Sequence, residues 1–281
     1  MVPLRPDGEP GLMDSVDVSI IIPTFHRETQ LVGAIESVLS GSSLEFEVLV
    51  ADDSLEGSAE PFVRKIDDKR VHYMKRDTPT GGNPALVRNE RARAARGRYF
   101  YFLDDDDTAS PPTLAAMVKR LDETGHGVAI GIVRPFGKEG SEVVAAEQAH
   151  YRQAERTLAR MRTRFGLASC LLFRSSIICC SACLIRREHF VTLGGFDSAF
   201  PLYEDVAMYL RGIRRFGFDF VPQVLLNRRT GEPSLIQNER DAERTQVSYR
   251  RMHDNYRKEF GLVEYAVLKA LSLTLPRSTK S

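Results

Sequence analysis

Apolar segments alternate with polar ones through the first half of the chain. Residues 18–22, 46–50 and 99–103 form three mostly apolar runs of five, and each run predicts a buried strand. After the first run, Leu31 and Ile35 recur at the spacing of one helix face. Strands that alternate with helices predict an α/β fold with a mostly parallel sheet, covered by helices on both faces.

The second half has longer helical patterns. Its periodicity predicts one long helix over 141–165, a strand over 177–185 and a charged helix over 238–260. Residues 262–275 predict an amphipathic segment that covers the core, contacts a partner or touches a membrane surface. No purely apolar run reaches the ~18 residues that a spanning helix needs, so we expect no such helix.

Composition places the chain among ordinary globular proteins. Of its 281 residues, 42% are hydrophobic and 27% charged, and the formal net charge is +1. This balance gives no strong field that would favour a nucleic acid partner. We expect a disordered leader over 1–16, one α/β domain over 17–235 and C-terminal helices over 236–281.

Four consecutive aspartates follow the third apolar run, at 104–107. In an extended chain Asp104 and Asp106 share one face and Asp105 takes the other. Two carboxylates on one face suit a hard cation, Mn²⁺ or Mg²⁺, which often shares its ligands with phosphate. The alternative is an acidic turn before a helix that Ser110 and Pro111 begin, and it explains one aspartate rather than four.

Polar residues follow strands at three places: 23–25, Asp52 with Asp53, and 104–107. Parallel sheets bind ligands at the carboxyl ends of their strands, so these segments predict one shared crevice. Glycine-rich dinucleotide and P-loop signatures are absent. A cation would offset the repulsion between acidic strand ends and a diphosphate, and Arg88 would assist as a planar donor.

The remaining arginines between residues 88 and 98 are expected on a solvated helix face; they are Arg91, Arg93, Arg96 and Arg98.

Glu204 and Asp205 are the candidate acid–base groups. They follow a loop at 193–197, whose two adjacent glycines would let a ligand approach the backbone closely. A general base beside that loop is one interpretation. The other is structural, since carboxylates at a helix N-terminus gain about 0.3–1 kcal/mol from the helix dipole.

Four cysteines lie between residues 170 and 183. The spacing of Cys180 and Cys183 is compatible with zinc, but no second pair of cysteines or histidines lies nearby. Buried reduced thiols of a cytosolic protein are the favoured interpretation.

These motifs together resemble family 2 of the glycosyltransferases, inverting enzymes of the GT-A fold. The resemblance covers about residues 17–230 and depends on five motifs in order. They are VSIIIPTFHR at 18–27, VLVADDS at 48–54, the run from VRN at 87–89 through ARG at 95–97 to FLDDDD at 102–107, LGGFD at 193–197 and YED at 203–205. The resemblance implies a nucleotide-sugar-binding half over 17–133 and an acceptor-binding half over 134–235.

The resemblance also implies roles for individual residues. Pro23, Thr24 and Phe25 would line a uridine pocket, and Asp53 with Asp52 would bond the base or the ribose. Arg88 would contact the base or the phosphates. Asp104 and Asp105 would bind the ribose and the metal shell, and Asp106 would ligate Mn²⁺ or Mg²⁺ directly. Asp205 would deprotonate the acceptor hydroxyl, with Glu204 as its orienting residue or substitute.

The sequence departs from the family at two points. No histidine accompanies Arg228 and Arg229 after the last core strand, and the Q-x-x-R-W signature of processive synthases is absent. We therefore expect a metal-dependent transferase of the hexosyltransferase type that adds one sugar, with a UDP-sugar as the default donor. The hydroxyl acceptor would belong to polysaccharide, glycolipid or other glycoconjugate biosynthesis.

Two alternatives to this activity are a nucleotidyltransferase that forms sugar nucleotides and a non-catalytic nucleotide-sugar-binding protein. For the location, we expect the cytoplasm, with contact at the inner face of the membrane and a homodimer both left open.

Overall fold

The computed structural model describes residues 16–231 and 239–275. The leader predicted over 1–16 therefore lies outside the described residues except for Val16, and so does the boundary predicted at 235. The strands are β1 (Val18–Thr24), β2 (Phe46–Asp52), β3 (Val71–Lys75), β4 (Tyr99–Phe102), β5 (Thr108–Ala109), β6 (Val128–Phe136), β7 (Cys183–Arg186) and β8 (Phe218–Arg229).

Helices connect these strands and extend the chain beyond them. They are α1 (Glu28–Leu39), α2 (Glu60–Val63), α3 (Pro84–Ala92), α4 (Pro111–Thr124), α5 (Glu142–Arg160), α6 (Arg164–Phe173), α7 (Arg187–Leu193), α8 (Glu204–Phe216), α9 (Glu239–Phe260) and α10 (Leu262–Ser272). Within the described ranges, each helix is too short or too polar to cross a bilayer.

The strands form one mixed sheet in the order β3-β2-β1-β4-β7-β6-β8-β5. All described strands run in one direction except β7 and β5, which are antiparallel to their neighbours. The prediction of a mostly parallel α/β sheet flanked by helices is confirmed. Parallel register aligns Thr24 with Asp52, and β1 lies between β2 and β4, so the carboxyl ends of three parallel strands are at one edge.

The loop that follows α3 packs closely against β1. The backbone N–H of Gly97 donates to Ser19 Oγ at 2.8 Å, and Ser19 Oγ donates to Glu47 at 2.7 Å. A Cβ atom on Gly97 would lie 2.4 Å from the backbone nitrogen of Ser19. Only glycine allows this approach of the loop to the first strand.

The long helix predicted over 141–165 is wrong at its end. Helix α5 ends at Arg160, and α6 begins at Arg164. The hydroxyl of Thr163 accepts the N–H of Gly166 at 3.0 Å, which makes Thr163 the N-cap of a new helix. The strand predicted over 177–185 is also shorter, since only Cys183–Arg186 pairs with β4 and β6.

The C-terminal helices pack into the same core as the sheet. Met252 and Tyr256 of α9 and Leu268 of α10 are buried members of that core. The hydroxyl of Ser169 on α6 donates to the carbonyl of Leu268 at 2.7 Å. The predicted C-terminal extension is therefore continuous with the α/β core in packing.

Candidate functional site

The four aspartates after β4 lie in a turn. Leu103 N still donates to Ile21 O at 3.0 Å, but the N–H of Asp107 donates back to the carbonyl of Asp104 at 3.2 Å. The extended geometry, in which Asp104 and Asp106 alternate with Asp105, is therefore absent from this segment. The N–H of Asp104 donates to Ser181 Oγ at 3.0 Å, which fixes the turn against the segment before β7.

Arg27 bridges two carboxylates of this turn. Its Nη1 lies 3.1 Å from Asp105 Oδ1 and 2.7 Å from Asp106 Oδ2. Thr24 Oγ1 donates to the other Asp105 oxygen at 2.8 Å. Thr24 and Asp105 were both predicted site residues and meet directly. Arg27 was not a predicted site residue, although it belongs to the first motif.

Burial and mutual repulsion raise the pKa values of three carboxyl groups of this turn. Burial raises the pKa of Asp105 to about 6, against the opposing effect of Arg27. Burial and then Asp104 raise the pKa of Asp106. Burial, Asp104 and Asp106 raise the pKa of Asp107, whose carboxylate accepts the N–H of Arg229 at 2.9 Å. Added positive charge at this turn would relieve the repulsion.

Arg88 connects the aspartate turn to the start of α8. Its side chain is 6% exposed, with Nη2 at 2.6 Å from Asp104 and Nη1 at 2.8 Å from Glu204. Its Nε is buried without a hydrogen-bond partner among the described residues.

The expectation that the remaining arginines lie on a solvated helix face is wrong for Arg91. This residue is also buried and donates to the carbonyl of His72 at 3.0 Å.

Asp205 stands in the first turn of α8, beside Glu204. Burial and the neighbouring Glu204 raise the pKa of Asp205 to about 7, and Arg88 only partly offsets the shift. The residue before α8, Tyr203, has φ 61°, an uncommon conformation for a bulky side chain. Its ring packs against Tyr249 of α9 with centroids 5.3 Å apart.

The glycine loop before α8 is held by Asn89. The side chain of Asn89 donates to Phe196 O at 2.7 Å and accepts Phe196 N–H at 2.9 Å. A Cβ on Gly195 would lie 2.5 Å from Asn89 Oδ1. Packing against Asn89 therefore accounts for this glycine, in place of the predicted close approach of a ligand.

Asp52 and Asp53 both lie buried at the end of β2. Asp52 accepts the N–H groups of Ser54 and Ala59, each at 2.9 Å, and the hydroxyl of Tyr73 at 2.8 Å. These bonds make Asp52 a brace for the loop that follows the strand.

Asp53 faces a different loop, which precedes α3. It accepts the Thr80 hydroxyl at 2.6 Å, the Thr80 N–H at 2.8 Å and Arg76 at 2.8 Å. Thr80 and Arg76 lower the pKa of Asp53 despite the opposing effect of burial. Pro23 is half-buried in β1, and Phe25 is 47% exposed at the surface beside them.

A cavity of about 710 Å³ joins the aspartate turn to α8. Among its walls are Asp104, Asp107, Arg88, Glu204 and Asp205. Asp105, Asp106 and the predicted residues of β1 and β2 lie outside this lining. The predicted residues therefore form one neighbourhood with two parts, a group at the ends of β1 and β2 and an open cavity beside Asp205.

Residues that sequence reasoning did not assign complete the cavity. Arg228 at the end of β8 donates to the hydroxyl of Tyr151 at 2.5 Å and lies 3.4 Å from Glu147. The floor includes Cys179 and Cys180, and burial raises the pKa of both thiols. All four cysteines are free, and Cys170, Cys180 and Cys183 are buried.

Among the described residues, no three His, Cys, Asp or Glu side chains converge as a metal-binding group. The oxygen-only acidic turn nevertheless matches what Mg²⁺ and Mn²⁺ take from a protein, one or two carboxylates with the remaining positions left to water and phosphate.

Comparison with known proteins identifies the family. The sequence profile described as Glycosyl transferase family 2 matches residues 19–194. The succinoglycan biosynthesis protein ExoO of Rhizobium meliloti (strain 1021) is 30% identical over 167 residues, which cover 59% of this chain and 46% of ExoO.

A second relative is the GalNAc(5)-diNAcBac-PP-undecaprenol beta-1,3-glucosyltransferase of Campylobacter jejuni, 30% identical over 108 residues, or 38% of this chain and 35% of that protein. The chain thus spans less than half the length of either curated relative.

The fold matches that of a solved transferase. The crystal structure of S. aureus TarS 1-349 in complex with UDP-GlcNAc aligns with a TM-score of 0.65 over 92% of this chain and 70% of TarS 1-349, at 17% identity. At that identity the likeness establishes the fold alone. The extent of the profile match establishes the family, and the chain belongs to family 2 of the glycosyl transferases.

Proposed function

We propose that the chain transfers a sugar, with inversion, from a nucleoside-diphosphate sugar to a hydroxyl acceptor. The observation that carries this proposal is Asp205, a carboxyl with a pKa of about 7 at the wall of a cavity that also contains the aspartate turn. A general base works best when its pKa lies near the operating pH. The cavity has room for an acceptor beside that base.

Asp205 takes the role of base and Glu204 that of its orienting neighbour. The ion pair at 2.8 Å commits Glu204 to Arg88. Asp205 then accepts the proton of the acceptor hydroxyl while the hydroxyl oxygen bonds to the anomeric carbon, and the bond from that carbon to the nucleoside diphosphate breaks. Arg88 holds the start of α8 and Asp104 in fixed relation, so base and donor site keep their spacing.

Asp104 and Asp106 are the residues that would hold Mn²⁺ or Mg²⁺. Their mutual repulsion and acceptor-only oxygens fit a divalent cation, which shares its ligands with a diphosphate. When bound, such an ion offsets the charge that develops on the departing nucleoside diphosphate.

The nucleoside would bind where β1 and β2 end. A carboxylate offers about four acceptor positions, and Asp53 uses three of them on Arg76 and Thr80. The fourth is available to an N–H of a base such as uracil. Pro23, Thr24, Phe25 and Asp52 would shape this pocket, and Asp105 would contact the ribose.

The names of the relatives support a biosynthetic setting. ExoO is named for succinoglycan biosynthesis, and the C. jejuni enzyme for an undecaprenol-linked acceptor. We place this chain in polysaccharide or glycolipid biosynthesis, with UDP as the nucleotide. The division into a donor half over 17–133 and an acceptor half over 134–235 is part of the same proposal.

Nucleotide binding gives the direct test. UDP and UDP-sugars should raise the melting temperature, by more with Mn²⁺ than without it, because a ligand that binds only the folded chain stabilises it. In calorimetry with Mn²⁺, Asp106→Asn should weaken UDP binding at least tenfold, and the exposed-site control Asp67→Asn should match wild type. No stabilisation by any nucleoside diphosphate, or an unchanged affinity in Asp106→Asn, would contradict the donor or the metal assignment respectively.

A further inference from the structure

Helix α10 is apolar on both of its faces. Its inner face buries Leu268 in the core. Its outer face presents Leu262, Val263 and Val267 to solvent, and Leu273 directly follows its last residue; their exposed fractions are 70%, 81%, 56% and 78%. Ala266 and Ala270 are exposed between them. An outer helix face of a water-facing protein is normally polar, and a contiguous exposed apolar patch marks an interaction surface.

Phe165 at the start of α6 extends this stripe. Arg214 of α8 lies between the two helices, with its guanidinium 4.2 Å from the Phe165 ring centroid and its Nε 2.6 Å from Glu264 on α10. Phe165 is itself 37% exposed. We call the exposed outer side chains of α10, together with Phe165, the apolar stripe.

Basic side chains border the apolar stripe. Arg162 and Arg164 are exposed beside Phe165, and Lys258 and Lys269 are exposed before and within α10. The sequence from 156 to 187 contains no Asp or Glu.

The two carboxylates between residues 257 and 275 are both paired with arginines. Glu259 pairs with Arg211 and Arg215, and Glu264 pairs with Arg214. The border therefore carries net positive charge.

An arginine-lined groove of about 490 Å³ adjoins this border. Arg162, Arg164, Arg120 and Arg215 line it. Among its described lining residues the one carboxylate is Asp219, which is already bonded to Arg120 at 3.0 Å and to His126 at 2.9 Å. The groove thus offers guanidinium donors that suit phosphate oxygens.

We propose that the apolar stripe and the arginine-lined groove dock the chain on an anionic phospholipid surface. The apolar side chains enter the boundary between headgroups and acyl chains, and the arginines contact lipid phosphates. Charge complementarity selects this occupant, because a second copy of the chain would bring its own positive border against the first. The proposal concerns a surface separate from the nucleotide site and holds whether or not the proposed transfer is correct.

Vesicle flotation tests the proposal. The full chain, without nucleotide, should float with phosphatidylcholine vesicles that contain phosphatidylglycerol and remain behind with phosphatidylcholine alone. Added salt should release part of it, because screening weakens the contact of the arginines with the lipid.

Two sets of variants separate the apolar from the basic contribution. The double variant Val263→Glu/Val267→Glu should lose flotation, and Val247→Glu, at a similarly exposed valine of α9, should retain it. Arg162→Gln/Arg164→Gln should weaken binding to anionic vesicles about 30-fold, since each cation near such a surface contributes about 1 kcal/mol. The control Lys69→Gln/Arg93→Gln removes the same charge from exposed positions elsewhere and should bind as wild type.

Three outcomes would overturn the proposal. They are failure of the wild type to float with anionic vesicles, flotation of Val263→Glu/Val267→Glu and Arg162→Gln/Arg164→Gln equal to that of the wild type, and self-association that Val263→Glu/Val267→Glu abolishes. The last result would assign the stripe to a second copy of the chain. Melting temperatures and UDP affinity of each variant report whether fold and nucleotide site are intact.

Discussion

Arg88 makes the contacts that join the acidic turn to the candidate base. It is buried and divides its guanidinium between Asp104 and Glu204. Asp205, next in sequence to Glu204, keeps a pKa of about 7 because burial and Glu204 outweigh the attraction of Arg88. One arginine therefore separates the roles of two adjacent carboxylates.

The pH dependence of turnover follows from this arrangement. A base must be deprotonated, so kcat/KM should rise with pH to a plateau above about 7 and fall about tenfold per pH unit well below it. Steady-state rates across pH 5 to 9 check this (about two units on either side of the raised pKa).

Two variants identify the titrating group. Asp205→Asn should lower kcat by about 10²–10⁴-fold and remove the acidic limb, with UDP affinity retained. Glu204→Gln removes a charge that raises the pKa of Asp205, so the limb should move to lower pH. A limb that survives in Asp205→Asn would exclude this residue as the base.

Single residues were predictable where sequence neighbours set their environment. The aspartates at 104–107 and the pair at 204–205 stand out because carboxylates follow apolar segments. The role of Arg27 was not predictable, because its partners Asp105 and Asp106 lie 78 and 79 positions away in the sequence and only the fold brings them together. In the sequence, Arg228 was noted only because no histidine accompanies it. Its position in the cavity, at the end of β8, depends on a contact with α5.

At the scale of elements, Gly97 lets its loop lie in close backbone contact with the first strand. Gly97→Ala should lower the free energy of unfolding by about 1–3 kcal/mol, because the new methyl group meets backbone atoms of Ser19 and Val18 that cannot move aside.

Gly33→Ala provides the control, because open space surrounds this glycine in α1. This change should stabilise the protein by about 0.5–1 kcal/mol, the difference in helix propensity. Chemical denaturation measures both, and equal stability of the two variants would contradict the packing argument.

Strands with a short apolar run were predicted at the right places because burial on both faces leaves a continuous hydrophobic signal. The break between α5 and α6 was not predicted. The apolar periodicity continues through Met161 and Phe165, and the N-cap role of Thr163 depends on the chain turning there. Strand β7 is antiparallel to its neighbours. The residues that precede this strand, Cys179 and Cys180, therefore reach the cavity, rather than the residues that follow it.

At the scale of the whole molecule, the C-terminal helices and the sheet share one core. Leu268→Ala should lower the free energy of unfolding by about 2–5 kcal/mol, because this side chain is fully buried. Leu273→Ala in the same segment should change it by less than about 0.5 kcal/mol, because that side chain is 78% exposed.

Both variants should unfold in a single transition if the core is cooperative. A separate early transition in Leu268→Ala would show that α9 and α10 unfold independently of the sheet. Calorimetry distinguishes the two cases.

The contact between Tyr203 and Tyr249 joins the start of α8 to α9. Tyr203 has an uncommon backbone conformation immediately before α8, and its ring packs against a side chain of α9. Helix α9 contains 22 residues, a rod of about 33 Å that leads directly into α10. Since Tyr203 directly precedes Glu204 and Asp205, this ring contact connects the packing of α9 to the first turn of the helix that carries both carboxylates.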